Sequence, residues 1–138
     1  RDDRLACAKE MGADQVVNTM KDQIPDNTFD FGYEATGADA CYNLAVKCIK
    51  PGGRIAMIGM GPEIQKVDMV DYVCKEITIV PSFRYSNTYP LVLDLLKDNQ
   101  EKLKQLITHC VPFSLEGVEE AFHIASEDPS AVKVVVEF

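Results

Sequence analysis

Helical and β-strand patterns alternate along the first eighty residues of this sequence, and this alternation restricts the fold more than any other feature. Apolar residues at helical spacing cover 3–11, and a second helical pattern covers 38–49. Strand patterns cover 15–18, 29–34 and 54–61, and the last is almost continuously apolar, as is typical of a parallel strand covered on both faces. Together they predict an α/β fold with a doubly wound parallel sheet.

The second part of the chain has a different pattern. The elements predicted after residue 66 are a helix at 67–75, a strand at 76–80, helical pieces at 89–96 and 103–107, a helix at 115–125 capped by Ser114, and a strand at 132–138. The tract Pro51-Gly52-Gly53 is predicted to end the helix before it. We therefore expect the C-terminal half of a Rossmann-type doubly wound sheet in residues 1–85, a partial dinucleotide-binding domain. Residues 86–138 are expected to be a return segment of a catalytic domain.

Charge and length exclude several classes of function. The 138 residues are 46% hydrophobic, enough for a packed core, and carry a net charge of −8. Nucleic-acid grooves and anionic membrane surfaces need a cationic stripe, so neither is an expected partner. No apolar run reaches the roughly 20 residues that span a bilayer, so we expect a soluble, cytoplasmic protein. The chain opens on Arg1 rather than Met, which we interpret as a cut in a longer protein.

Few residues offer metal-binding or acid–base chemistry. The five cysteines are odd in number and include no CxxC pair, which favours free thiols in a reducing compartment over a zinc site within this chain. The only histidines are His109 and His123. The first lies between apolar runs and is interpreted as a hydrogen-bonded structural residue, and the second as solvated. The sequence therefore predicts no catalytic residue and no metal ligand in these 138 residues.

Ligand chemistry is expected where the predicted strands end, because helix amino termini and free backbone groups converge there. The candidates are Thr36-Gly37, Ile58-Gly59-Met60-Gly61 and Ser82-Phe83-Arg84-Tyr85. Position 64 is Ile, so the third glycine of a GxGxxG phosphate loop is absent. Gly59 and Gly61 then have two interpretations: a close approach to a flat ligand, or a simple tight turn.

Arg84 and Tyr85 also have two interpretations. An arginine with five donors beside a tyrosine hydroxyl suits a ligand that is rich in hydroxyl groups. The alternative is a surface arginine in an ion pair and a tyrosine packed on its ring.

Six short motifs occur in order along the chain. They are Arg4-Leu5-x-x-Ala8-Lys9-Glu10-x-Gly12-Ala13-Asp14, Glu34-x-Thr36-Gly37, Pro51-Gly52-Gly53, Ile58-Gly59-Met60-Gly61, Phe83-Arg84-Tyr85-x-Asn87-Thr88-Tyr89-Pro90 and Leu106-Ile107-Thr108-His109. Together they resemble the carboxyl-terminal part of the zinc-dependent medium-chain alcohol dehydrogenases. The last two motifs are similar to the branch that oxidises polyols such as sorbitol, xylitol and arabinitol.

The resemblance implies hydride transfer between a sugar alcohol and a nicotinamide cofactor, with a zinc ion as Lewis acid. It assigns cofactor binding to Arg4, Ile58, Gly59, Met60, Ser82, Phe83 and Arg84, and polyol binding to Arg84 and Tyr85. The zinc ligands and the glycine fingerprint are expected before Arg1. The parent enzyme is expected to be a homo-oligomer, a dimer or a tetramer.

NAD is the expected cofactor, with NADP left open. The negative charges of Asp2 and Asp3 near Arg4 would repel a 2′-phosphate.

We expect these 138 residues to be a fragment of such an enzyme that is inactive alone, because the zinc ligands and the glycine fingerprint lie outside it. Two alternatives to this hypothesis remain. One is a non-catalytic oligomerisation or binding module that acts through its sheet edge. The other is a zinc-free quinone or enoyl reductase, against which the pair Arg84-Tyr85 argues.

Overall fold

The computed structural model describes residues 1–138, in which six helices and five strands form. The helices are α1 (Asp2–Glu10), α2 (Asp39–Cys48), α3 (Met69–Cys74), α4 (Tyr89–Lys97), α5 (Gln100–Lys104) and α6 (Leu115–Glu127). The strands are β1 (Phe29–Glu34), β2 (Ile49–Met57), β3 (Thr78–Pro81), β4 (Ile107–Pro112) and β5 (Lys133–Glu137). None of the helices combines the length and the apolar character that a bilayer crossing requires.

The chain divides into two compact units, and one of them, 19–86, holds a three-stranded parallel sheet in the order β1-β2-β3. Tyr33 pairs with Ala56, which pairs in turn with Val80. Helix α2 buries Tyr42 and Val46 because residues four apart lie on one helix face. The core cluster of this unit consists of Val46, Ile49, Ile55 and Ile77.

The junction between α2 and β2 differs from the predicted one. The helix ends at Cys48 and the strand begins at Ile49, so the tract 51–53 lies inside β2 rather than between two elements. Gly52 takes φ +75°, which suits glycine, and its N–H donates to the carbonyl of Lys75 at 2.7 Å. The tract therefore forms an irregularity in the pairing of β2 with β1 instead of ending a helix.

The other unit contains residues 1–18 and 87–138. Strands β4 and β5 pair in parallel, and α6 connects them. Helix α6 begins where predicted, because Ser114 Oγ accepts a hydrogen bond from the Gly117 N–H at 3.0 Å. Strand β4 was not predicted: residues 103–107 were expected to be helical, but α5 ends at Lys104 and Ile107 already belongs to β4.

The strand predicted at 15–18 is wrong. These residues are irregular because a strand needs a hydrogen-bonded neighbour, and the two sheets contain only β1–β3 and β4–β5. The chain passes from one unit to the other at 18/19 and again at 86/87. The second of these points lies next to the predicted domain boundary at 85/86, whereas the first was not predicted. The assignment of 1–85 to a cofactor domain stays a prediction.

We expect Ser114→Ala to loosen the first turn of α6, because it removes the side-chain acceptor for the Gly117 N–H. A lost N-cap costs about 1 kcal/mol, which corresponds to roughly fivefold faster local opening. Amide hydrogen exchange at Gly117, in the natural protein that carries this chain, measures the effect. Ser114→Asp keeps an acceptor and is the control, and equal exchange in all three proteins would contradict the capping role.

Candidate functional site

The loops after β1, β2 and β3 lie side by side at the carboxyl edge of the parallel sheet. The backbone carbonyl of Glu34, the last residue of β1, accepts from the N–H groups of Ile58 and Gly59 at 2.8 and 3.0 Å. The N–H of Ser82 donates to the carbonyl of Met57 at 2.8 Å. The structure therefore brings the candidate residues of 58–61 and 82–85 to one edge, as their positions after strands predict.

The carboxylate of Glu34 is the buried polar centre of this edge. Its side chain is 3% exposed, and its oxygens accept from the Thr36 N–H at 2.7 Å, from the Thr36 hydroxyl, and from the Gly37 N–H at 2.9 and 3.1 Å. Burial opposes ionisation, but the hydrogen bonds from Thr36 and Gly37 outweigh it and lower the pKa of Glu34. The group is an anion at neutral pH.

Tyr42 continues this network into the core. Its hydroxyl donates to the carbonyl of Gly59 at 3.4 Å, and the ring is 2% exposed. Burial, and second the charge of Glu34, raise the pKa of Tyr42. The Gln65 side-chain amide donates to the carbonyl of Gly37 at 2.8 Å. Tyr42 of α2 thus holds the backbone of the loop after β2, and Gln65 holds the backbone of the loop after β1.

Three glycines are required by the contact between these loops. A Cβ at Gly59 would lie 2.6 Å from Oε2 of Glu34 and would overlap the backbone of Gly37. A Cβ at Gly61 would overlap the Gly37 carbonyl, and Gly37 itself has φ +76°. The sequence suggested a close approach to a flat ligand or a tight turn at Gly59 and Gly61, but not this contact between two loops. Loop packing alone is enough to require glycine at both positions.

Exposed apolar side chains surround this packed backbone. Ile58, Met60 and Phe83 are 50%, 78% and 74% exposed. Water-exposed apolar groups at the carboxyl ends of parallel strands fit the binding of a flat, partly apolar ring.

Arg84 has an unusual backbone for its residue type. Its φ is +56°, a region that non-glycine residues rarely adopt, and its guanidinium carbon lies 5.1 Å above the centre of the Phe83 ring. Tyr85, the next residue, is also exposed. Stacking on Phe83 replaces the surface ion pair considered from the sequence, and it leaves the guanidinium edge accessible.

Arg4 belongs to the other unit. It lies on α1, where its Nη2 donates to the carbonyl of Ala131 at 3.0 Å. Asp2 and Asp3 occupy the first turn of the same helix. The cofactor-binding role that the resemblance implies for Arg4 stays a prediction.

The structure places no metal cluster in residues 1–138: no group of three or more His, Cys, Asp or Glu side chains is arranged to hold an ion. His109 has Nδ1 3.0 Å from Thr108 Oγ1 and Nε2 3.4 Å from Asp128 Oδ2, so it is hydrogen-bonded as predicted. His123 is exposed and lies 3.4 Å from Glu127. All five cysteines are free thiols.

Sequence reasoning missed Glu34 as a site residue. The available signal was an acidic residue at the end of a strand, followed two and three positions later by a hydroxyl and a glycine.

Comparison with known proteins is decisive for the family, because the model of the zinc-binding dehydrogenases matches residues 1–98. The chain belongs to the zinc-binding dehydrogenase family. It is 32% identical to a sorbitol dehydrogenase of Arabidopsis thaliana over 97% of this chain and 40% of the relative. The resemblance to this superfamily and to its polyol branch is confirmed.

Solved structures agree on the fold. An L-idonate 5-dehydrogenase of Escherichia coli K-12 superimposes with a TM-score of 0.91 and 26% identity, over 100% of this chain and 41% of the other. An alcohol dehydrogenase of E. coli CFT073 in complex with NADH superimposes with a TM-score of 0.81 and 28% identity, over 100% and 42%. The predicted α/β, Rossmann-type fold class is confirmed. The chain spans about 40% of the length of these relatives.

We expect Gly61→Ala to destabilise the sheet unit more than Gly52→Ala. The added Cβ at Gly61 meets a backbone carbonyl, which lowers the free energy of unfolding by about 3 kcal/mol or more. A Cβ at Gly52 meets open space, so only the positive φ destabilises that variant, by about 1–2 kcal/mol. Urea unfolding of the natural protein, followed by circular dichroism, compares the two variants. Equal losses would contradict the close loop contact.

We expect Glu34→Gln to lower the free energy of unfolding by about 1.5–3 kcal/mol at pH 7, because it weakens hydrogen bonds to a charged group. The pKa of Glu34 is lowered from its ordinary 4.5, so its stabilising effect is complete above that pH and is lost as the pH falls through the folded-state pKa. The difference between wild type and variant should therefore shrink from pH 7 to pH 3.5 in urea titrations. Glu63→Gln, at an exposed glutamate, is the control. A difference between wild type and Glu34→Gln that stays constant over this pH range would refute the ionised state of Glu34.

Proposed function

We propose that this chain is part of an NAD-dependent polyol dehydrogenase, which transfers a hydride between a secondary alcohol carbon of a sugar alcohol and nicotinamide. The observation that carries the proposal is the sheet edge where exposed Ile58, Met60 and Phe83 lie in loops next to Arg84 and Tyr85. Membership of the zinc-binding dehydrogenase family and similarity to a sorbitol dehydrogenase support it.

In this proposal the cofactor-binding residues contact the nicotinamide through their side chains and backbone carbonyls, not through their backbone N–H groups. The N–H groups of Ile58, Gly59 and Ser82 already donate to backbone carbonyls within the sheet unit. We therefore assign ring packing to the side chains of Ile58, Met60 and Phe83, and acceptance of the carboxamide N–H to backbone carbonyls. When bound, the nicotinamide supplies the carbon that takes or gives the hydride.

The polyol is assigned to Arg84 and Tyr85. A guanidinium held over the Phe83 ring is pre-oriented, so less side-chain entropy is lost when it donates to substrate hydroxyls. The same planar group would also donate a bidentate pair of hydrogen bonds to a sugar-acid carboxylate. The substrate class is therefore polyhydroxylated, with a sugar alcohol as the first candidate.

Residues 1–138 do not fit a zinc ion, because they form no cluster of metal-binding side chains. We accordingly assign the zinc of the parent enzyme to residues outside this sequence. We expect the 138 residues alone to be inactive. For the cofactor we favour NAD, since Asp2 in the first turn of α1 would repel a 2′-phosphate near Arg4, whereas Asp3 is already paired with Arg1.

We expect Arg84→Ala, in the natural full-length protein, to lower kcat/KM for sorbitol at least tenfold and for 2-butanol by less than about threefold. Only the polyol has further hydroxyl groups to accept hydrogen bonds from the guanidinium. Steady-state kinetics with both alcohols and NAD+ measure the difference.

The matched control is Arg54→Ala, which removes an exposed arginine of β2 that pairs with Thr78 at the start of β3, away from the carboxyl edge. It should leave the ratio of the two alcohols unchanged. Equal losses on sorbitol and 2-butanol in Arg84→Ala would remove the substrate role. No turnover of any secondary alcohol by the wild type would overturn the proposed function itself.

A further inference from the structure

The proposed function leaves one buried charge unused. The Glu34 carboxylate accepts hydrogen bonds from the Thr36 N–H, the Thr36 hydroxyl and the Gly37 N–H, and it also interacts with the Tyr42 hydroxyl. Each of these donors is neutral, so they stabilise the anion without cancelling its charge. A full negative charge therefore remains beneath the carboxyl edge of the sheet.

The charge lies directly against the loop assigned to the nicotinamide. The Glu34 carbonyl holds the N–H groups of Ile58 and Gly59, and a Cβ on Gly59 would lie only 2.6 Å from Oε2 of Glu34. With 3% exposure, the carboxylate is screened by little water on this side. Its field consequently acts on whatever ligand rests on Ile58, Gly59 and Met60.

We propose that Glu34 is an electrostatic positioning residue, whose buried negative charge favours the cationic oxidised nicotinamide over the neutral reduced ring. This inference rests on the proposed function. The oxidised ring carries one positive charge and the reduced ring none, so only the oxidised form gains from the interaction. Such a charge shifts an affinity by only about twofold when it is screened as in water, and by roughly an order of magnitude or more in a less polar environment.

The same carboxylate also holds the first loop in place, and the test must separate these two roles. A purely structural role would change the affinities for NAD+ and NADH together, because both forms rest on the same loop. An electrostatic role changes their ratio. The dissociation constants of both nucleotides are therefore measured in the natural full-length protein at pH 7, NADH by its fluorescence and NAD+ by calorimetry.

Four proteins are compared. Glu34→Gln removes the charge at nearly constant shape, and we expect it to raise Kd(NAD+)/Kd(NADH) by about three- to thirtyfold over wild type. Thr36→Val is the matched control, since it removes one hydrogen bond to the carboxylate but leaves its charge. Glu34→Asp retains the charge and should restore the wild-type ratio within about twofold.

Each result has a defined meaning. If both nucleotides bind and Glu34→Gln leaves their ratio unchanged, the inference is wrong and the proposed function stands. An equal change of ratio in Thr36→Val would trace the effect to loop geometry and would also overturn the inference. If Glu34→Gln does not fold, Glu34→Thr removes the charge in its place, and an unchanged ratio in that variant refutes the charge effect. Failure of the wild type to bind either nucleotide would refute the proposed function instead.

Discussion

The candidate site depends on the two-sided hydrogen bonding of Glu34. Its backbone carbonyl holds the loop after β2, while its side chain holds the loop after its own strand. Strand pairing alone fixes only where β1 and β2 end, and it leaves the loops beyond them free to separate. A single residue at the last position of β1 therefore converts the ends of two strands into one continuous surface, on which the exposed side chains are displayed.

Much of this arrangement could be predicted from the sequence because it is encoded locally. The alternation in Phe29–Glu34 and the apolar run around Ile55 identified strands whose residues pair within the chain. The Ser114 cap marked the start of α6 for the same reason, since its partner is three residues away. The position of Arg84 after a strand placed it at the carboxyl edge of the sheet before any geometry was known.

The remainder depends on contacts between residues that are distant in sequence. Residues 15–18 have a strand pattern but no strand beside them, and β4 forms in spite of His109 and Pro112 because β5 pairs with it. The reason for glycine at Gly61 is the Gly37 carbonyl, 24 residues earlier, which no local pattern encodes. The ionised state of Glu34 likewise follows from hydrogen bonds that only the folded loop provides.

The contact among Gly37, Gly59 and Gly61 also limits how such a site can diversify. A side chain at any one of the three would require the opposite loop to move, so a change there needs a second, simultaneous change. Ile58, Met60 and Phe83 meet no such barrier, because they extend into solvent. Selection for a new ligand would then act first on these three outward positions, because a change there leaves the packed backbone beneath them in place.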